Sequence, residues 1–330
     1  MSNGNIVVQD TLGVTSLDGD GQERWSLPVG STSKLVVTSD WHISLLHSTG
    51  TVTQYDGDGR SRWTFTPQVG SSGQHMAADA FGNTYVLLTQ GNFDTGVALK
   101  LISLSREGVE RWSTVISEAP INIALGLGVM GDGSSVYVGA VAYNRGAGPQ
   151  ELVFVKSYVR KLNPAGVALW TKEGSFGTVS FTPSGERVNV NNIGTPPGGF
   201  EATWVDSDGN VLWKTQTSPN KGPGMVDTHV FPSNFNLVPR LLVGGHEQGP
   251  STELYSYGRG WFADMGDRTK LTPGPITYID SRDGSGAWVS TLAFADLALH
   301  VVVGGGFGTP GEPKGGFIRL YDPRTLSTAR

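Results

Sequence analysis

Apolar positions along the chain come in short runs of strand length, broken every few residues by Gly, Ser, Asp or Thr. Between Trp25 and Trp63 the runs are KLVVTSD, WHISLLHS, GTVTQYD and RSRWTF, rich in β-branched and aromatic residues. The following stretch repeats the plan as HMAADAFG, NTYVLLTQ, ALKLISLS and VERWSTVI. No segment keeps an apolar period of 3.6, so the pattern predicts strands and no helix of consequence. Four antiparallel strands in each unit of roughly 40–50 residues predict the blades of a β-propeller.

A motif punctuates these units. LDGDGQERW ends at Trp25 and is followed by YDGDGRSRW at Trp63, LSREGVERW at Trp112, LNPAGVALW at Trp170 and VDSDGNVLW at Trp213. IDSRDGSGAW, ending at Trp288, carries one extra residue. The repeated pairs are Gly21 and Trp25, Gly59 and Trp63, Gly108 and Trp112, Gly166 and Trp170, Gly209 and Trp213, and Gly284 and Trp288. The first five tryptophans are 38, 49, 58 and 43 residues apart, as expected for constant units with loops of variable length. Asp18, Asp56 or Asp206 is placed to accept a hydrogen bond from the amide two residues on, forming an Asx-turn. The glycine then takes a positive φ, and the tryptophan on the returning strand fills the wedge between neighbouring blades.

This run of Asp-x-(x)-x-Gly-x-x-x-Trp units resembles the PQQ-like, or quinoprotein-type, β-propeller repeat, and the resemblance covers almost the whole chain. It implies a single all-β domain over residues 1–330, built from four-stranded antiparallel blades and closed by strands from both termini. Seven blades are expected, with six or eight as alternatives, because the stretch from Trp213 to Trp288 is too long for one blade and short for two. In that stretch THVFPS, PRLLVGG, TELYSYG and WFADMG are expected to form a degenerate blade beside Trp261. Quinone-dependent dehydrogenases of this superfamily are much longer and often carry adjacent cysteines. This chain has no cysteine, so the resemblance implies a non-catalytic, binding or scaffolding member without cofactor.

Composition narrows the function classes. The 47 glycines among 330 residues suit many tight turns. A net charge of −5 argues against a nucleic-acid partner, and thiolate metal sites and disulfides are ruled out. No apolar run is long enough to span a membrane as a helix. MSNGN shows no leader, and a periplasmic, cell-surface or secreted protein, bacterial by its resemblance, is expected with its leader removed, either alone or within a larger surface assembly.

Candidate binding residues fall in five segments between second and third strands: TQGNFDTG, AYNRGAGPQE, NNIGTPPGGFE, GGHEQGPSTE and GGGFGTPGEPKGG. They are expected to be loops on one face, where binding groups concentrate on a rigid scaffold. The residues singled out are Asn92, Phe93, Asn144, Arg145, Asn192, Phe200, His246, Glu247, Phe307 and Lys314. The expected partner is a protein or glycan. The alternative is a metal-assisted hydrolase or lyase using His229, His246 and His300 with Glu247 near the axis. Calcium is not expected at DGDG, because Gln22 and Arg60 stand where a third ligand would be needed.

Overall fold

The structure is a computed structural model, and it describes residues 6–9, 13–18, 20–29, 32–38, 40–148, 151–174, 177–182, 184–193, 199–216, 227–230, 240–248, 257–267, 277–279, 286–295, 300–309 and 312–321. Its contacts divide the chain into two compact units, Met1–Phe176 with Pro183–Gly185, and Gly177–Thr182 with Glu186–Arg330. Every regular element among the described residues is a β-strand.

In the first unit, β1 (Ile6–Gln9), β2 (Val14–Leu17) and β3 (Glu23–Leu27) form a three-stranded sheet. β4 (Thr32–Val37), β5 (Ile43–His47), β6 (Val52–Tyr55) and β7 (Ser61–Phe65) form a four-stranded meander. Two further meanders follow. The first is β8 (Ser71–Ala78), β9 (Thr84–Asn92), β10 (Gly96–Leu104) and β11 (Glu110–Ile116). The second is β12 (Ile121–Val129), β13 (Val136–Arg145), β14 (Leu152–Leu162) and β15 (Ala168–Gly174). A parallel bridge between Val97 of β10 and Ile121 of β12 joins them into one eight-stranded sheet.

The second unit opens with β16 (Thr178–Phe181), β17 (Arg187–Ile193), β18 (Gly199–Val205) and β19 (Val211–Gln216), again a four-stranded meander. It continues with β20 (Asp227–Val230), β21 (Arg240–Gln248), β22 (Tyr257–Asp267) and β23 (Thr277–Ile279). It ends with the three strands β24 (Gly286–Ala295), β25 (His300–Thr309) and β26 (Glu312–Tyr321). All pairing inside these sheets is antiparallel, as short hairpin connections require.

The core of the first unit lies in the wedges between successive sheets. Val14, Ile43 and Leu45 fill the first with Trp25 against them, and Leu46, Val86, Leu88 and Ile102 fill the second with Trp63. Tyr85, Leu99, Leu101, Val138 and Tyr158 fill the third with Trp112. Second strands are buried on both faces, as in β5. Outer strands expose one face and tuck in the other, at Trp63 and Phe65 of β7 and at Trp112, Thr114 and Ile116 of β11.

Two expectations change. The five segments read as loops are largely hairpin strands: β9 runs to Asn92 and β10 restarts at Gly96, while β13 runs to Arg145 and β14 restarts at Leu152. Glycine supplies the reason at Gly91, whose φ of 93° brings its Cα so close to the Gly96 carbonyl that a Cβ would sit 2.1 Å from that oxygen. The ladder therefore continues almost to the tip. In the long stretch after Trp213, WFADMG is not a separate fourth strand. It continues from Tyr257 as β22, and Thr277–Ile279 supplies the fourth strand instead. Gly258 and Gly260 are accommodated within a paired strand there, and only bulges mark the irregularity.

Candidate binding face

Five copies of the tryptophan motif build the same turn. Asp18 Oδ1 accepts from the amides of Asp20 at 3.0 Å and Gln22 at 2.8 Å. Asp56 and Asp206 repeat both bonds. Where the acid is replaced, Ser105 and Asn163 take over the same two amides. The constant feature is thus an acceptor at that position, which a carboxylate, an amide or a hydroxyl supplies equally. The glycines follow with φ between 78° and 85° at Gly21, Gly59, Gly108, Gly166 and Gly209.

Trp25, Trp63 and Trp112 each dock on the next turn. The Trp25 indole donates to the Gly57 carbonyl at 3.0 Å, Trp63 to Arg106 at 3.0 Å, and Trp112 to Pro164 at 2.7 Å. The indole plane lies against the glycine of that turn, so a Cβ on Gly108 would come within 2.5 Å of the Trp63 ring. In the second unit the Trp213 indole packs 5.5 Å from that of Trp204, and its buried N–H has no acceptor among the described residues. Trp288 sits elsewhere: it lies on β24 opposite Gly306 of β25, while Gly284 falls outside the described residues.

At the opposite end of these strands are the hairpin tips. Asn92 Oδ1 accepts from the amides of Asp94 and Thr95 at 2.9 and 2.8 Å, so Asn92 shapes its tip, which holds Phe93 out at 58% exposure. Asn144 and Arg145 are exposed on β13, opposite Val153 and Leu152. Their tip is closed by the Glu151 carboxylate, which accepts from the Gly148 amide at 3.0 Å. In the second unit Asn192 pairs with Phe200 across β17 and β18, and Phe307 is half-buried on β25. His246 and Glu247 lie on β21 and Lys314 on β26.

His229 lies opposite Leu242, four positions along β21 from His246, so about 13 Å of strand separates the two positions at 3.3 Å per residue. His300 begins β25, in a different sheet. Register alone therefore sets His229 and His246 apart along this ladder.

Two groupings were missed in the sequence. Leu152, Val153, Phe154 and Val155 are exposed by 36%, 47%, 59% and 40%, four consecutive apolar residues on one strand. Their run without polar alternation was visible, but a buried strand reads the same way. The second grouping surrounds Trp41, an exposed residue with φ of 64° where the sister turns place Gly82, Gly133 and Gly185. Next to it Asp40 Oδ2 lies 2.8 Å from His42 Nδ1 and 2.9 Å from Arg106 Nε. Burial alone would raise the Asp40 pKa, but the Thr38 hydroxyl, His42 and Arg106 outweigh it and hold the carboxyl below its ordinary value. Among the histidines of the first unit, His75 is the most perturbed. Burial first, then Lys34, pulls its pKa down to about 4, against a bond to the Ala124 backbone that favours the charged form. It is neutral at pH 7.

No protein-family model matches the chain, and no curated protein matches it in sequence. Solved structures do match in shape. The β-propeller domain of Cps50 (Swd1) from Myceliophteria thermophila superposes with a TM-score of 0.53 at 9% identity, over 90% of this chain and 88% of that one. BBS1N, solved in complex with ARL6DN, gives 0.55 at 10% identity over 98% and 88%. A protein of unknown function from Bacteroides caccae gives 0.52 at 13% identity over 86% and 95%. The chain has a β-propeller fold. At these identities the likeness speaks of fold alone, and it bears out the all-β propeller expected from the repeat.

Proposed function

We propose that this protein is a non-enzymatic interaction scaffold: one PQQ-like repeat propeller domain, seven-bladed and closed by both termini, that binds a protein partner through its hairpin tips. An exported compartment, periplasmic or at a cell surface, fits the cysteine-free chain. One observation carries the reading. Docked tryptophans and capped turns absorb the polar chemistry at one end of the strands, whereas the other end projects hairpins with exposed Phe93 and Leu152–Val155. Exposed apolar residues grouped on a rigid scaffold mark interaction surfaces. A glycan is the less favoured partner, since four neighbouring aliphatic and phenyl side chains offer it few hydrogen bonds.

The test is chemical cross-linking in extract of the source cells, with the wild-type chain beside variants whose tips 92–95 and 146–150 are replaced by Gly-Ser. A discrete protein partner held by the wild type and lost from the tip variants, at unchanged melting temperature, is the expected result. A partner held equally by all three chains would reject the tips as the binding site. Metal-dependent turnover abolished by His246→Ala would replace the proposal with the hydrolase reading.

A further inference from the structure

The β13–β14 hairpin has an open edge. β15 pairs with β14 only from Ser157, which stands opposite Gly174, so no described strand lies outside Leu152–Lys156. On the inner side β13 pairs with these residues up to the tip, with a bulge at Ala142/Tyr143. Alternate residues of such an edge point their N–H and C=O groups away from the sheet, a ready template for another strand. Natural edges are usually blunted by proline or by a free lysine. There is no proline in Leu152–Lys156. Lys156 is engaged, 2.9 Å from Glu118 and 3.0 Å from Glu173.

The neighbouring hairpin shows what such an edge takes. Beyond the end of β11, the outer edge of β10 is covered by the chain itself, where residues 117–121 run alongside. Val97 donates to the Pro120 carbonyl at 2.9 Å and bridges Ile121 in parallel. Buried Asn122 fastens this cover through Nδ2 to the carbonyls of Val97 and Ala119, at 3.0 and 2.7 Å. The covering segment, SEAPI, is acidic and apolar, and its Glu118 pairs with both Lys156 and Arg160 of β14.

We propose that the edge at Leu152–Lys156 binds a partner protein's extended segment as an added strand, and that this segment alternates apolar and acidic residues. The inference rests on the protein-binding reading above and names the mode and chemistry of that binding. Charge supports the acidic choice. Residues 136–174, counted together with the Glu118 that pairs with Lys156 and Arg160, carry five lysines and arginines against three glutamates, in a chain whose net charge is −5. Arg145 stands exposed at the tip where the incoming strand would end. Side chains on both faces of the edge, Phe154 against Tyr143 at 6.1 Å and Val153 on the other, offer apolar contact to alternate residues. A second copy of this chain is a poorer occupant. Five edge residues bury well under the ~800 Å² per partner typical of a stable interface, and the net charges repel.

The probe is a fluorescein-labelled synthetic decapeptide alternating valine and glutamate, read by fluorescence anisotropy. Saturable binding is expected, weakened about tenfold or more by Phe154→Ser and by raised salt. The same decapeptide N-methylated at alternate residues, which cannot form the ladder, is expected not to bind. This control leaves the protein untouched, so it does not depend on a variant folding. Equal binding of the N-methylated or a valine–lysine peptide overturns the proposal, as does absence of binding by the first peptide. Sedimentation as a dimer that Phe154→Ser dissociates overturns it in favour of self-pairing. If the decapeptide fails while cross-linking still finds a tip-dependent partner, added-strand binding falls and the scaffold reading stands.

Discussion

The hairpins β9–β10 and β13–β14 occupy equivalent places in consecutive meanders, yet among the described residues only the first has its outer edge covered near the tip. After Ile116 the chain turns back along β10 and enters β12 at Ile121, early enough to bridge Val97. After β15 ends at Gly174, the next strand starts at Thr178 and pairs first with Val190 of β17, leaving β14 without a bridge beyond Ser157.

Trp112 ties the two hairpins together, so its loss gives the largest expected effect. It packs in their shared wedge 6.1 Å from Tyr85 and donates to Pro164 in the turn after β14. Trp112→Ala should lower stability by about 3–5 kcal/mol in denaturant titrations. Hydrogen exchange should show protection lost in both meanders together. Loss confined to one of them would mean that the wedge is not shared.

Asn122→Ala should come next, at about 2 kcal/mol, because it unfastens the cover and leaves buried carbonyls unsatisfied. Hydrogen exchange at Val97 should then accelerate towards the rate seen in the open edge of β14. An unchanged rate at Val97 would show that the cover stays in place without its fastener.

The sealed meander also carries the pH response. His75 has a folded pKa of about 4, below its unfolded value, so the unfolded chain binds the extra proton as pH falls. Stability should therefore decline from about pH 6.5 towards 4 by up to about 1.4 kcal/mol per pH unit, with no further loss from this residue below that. His75→Asn should flatten this window in melts taken across it.

Phe154→Ser stands at the bottom of the scale. A side chain 59% exposed should change stability by about 0.5 kcal/mol or less. The same change should weaken strand binding about tenfold or more, which separates the role of the open edge from any role in folding.

Much of this was legible beforehand. Gly21, Gly59, Gly108, Gly166 and Gly209 announce their turns because few other residues tolerate that backbone, and the alternating runs around them specify strands. The acceptors Ser105 and Asn163 were harder to read, since three residue types perform one bond. The candidate binding segments were placed between the right strands but taken for loops, because glycine and asparagine signal turns even when the ladder continues through them. The bridge from Val97 to Ile121 has no periodic signature at all: it depends on where a linker crosses back. The side-chain environments of His229, His246 and His300 lie outside the described residues, whereas backbone register alone separates His229 from His246.

The tryptophan that reaches forward to the following turn has a consequence for how the protein comes apart. Trp25, Trp63 and Trp112 each clasp only their immediate successor, across sequence separations of 32, 43 and 52 residues. Such an arrangement behaves as a chain of nearest-neighbour couplings, in which a fault weakens two adjoining members and spares the rest. Extension under force should accordingly release the sheets one after another, in steps, rather than in a single collapse. Evolution can lengthen or shorten a hairpin at the far end of any one sheet without disturbing the clasp that sets its spacing.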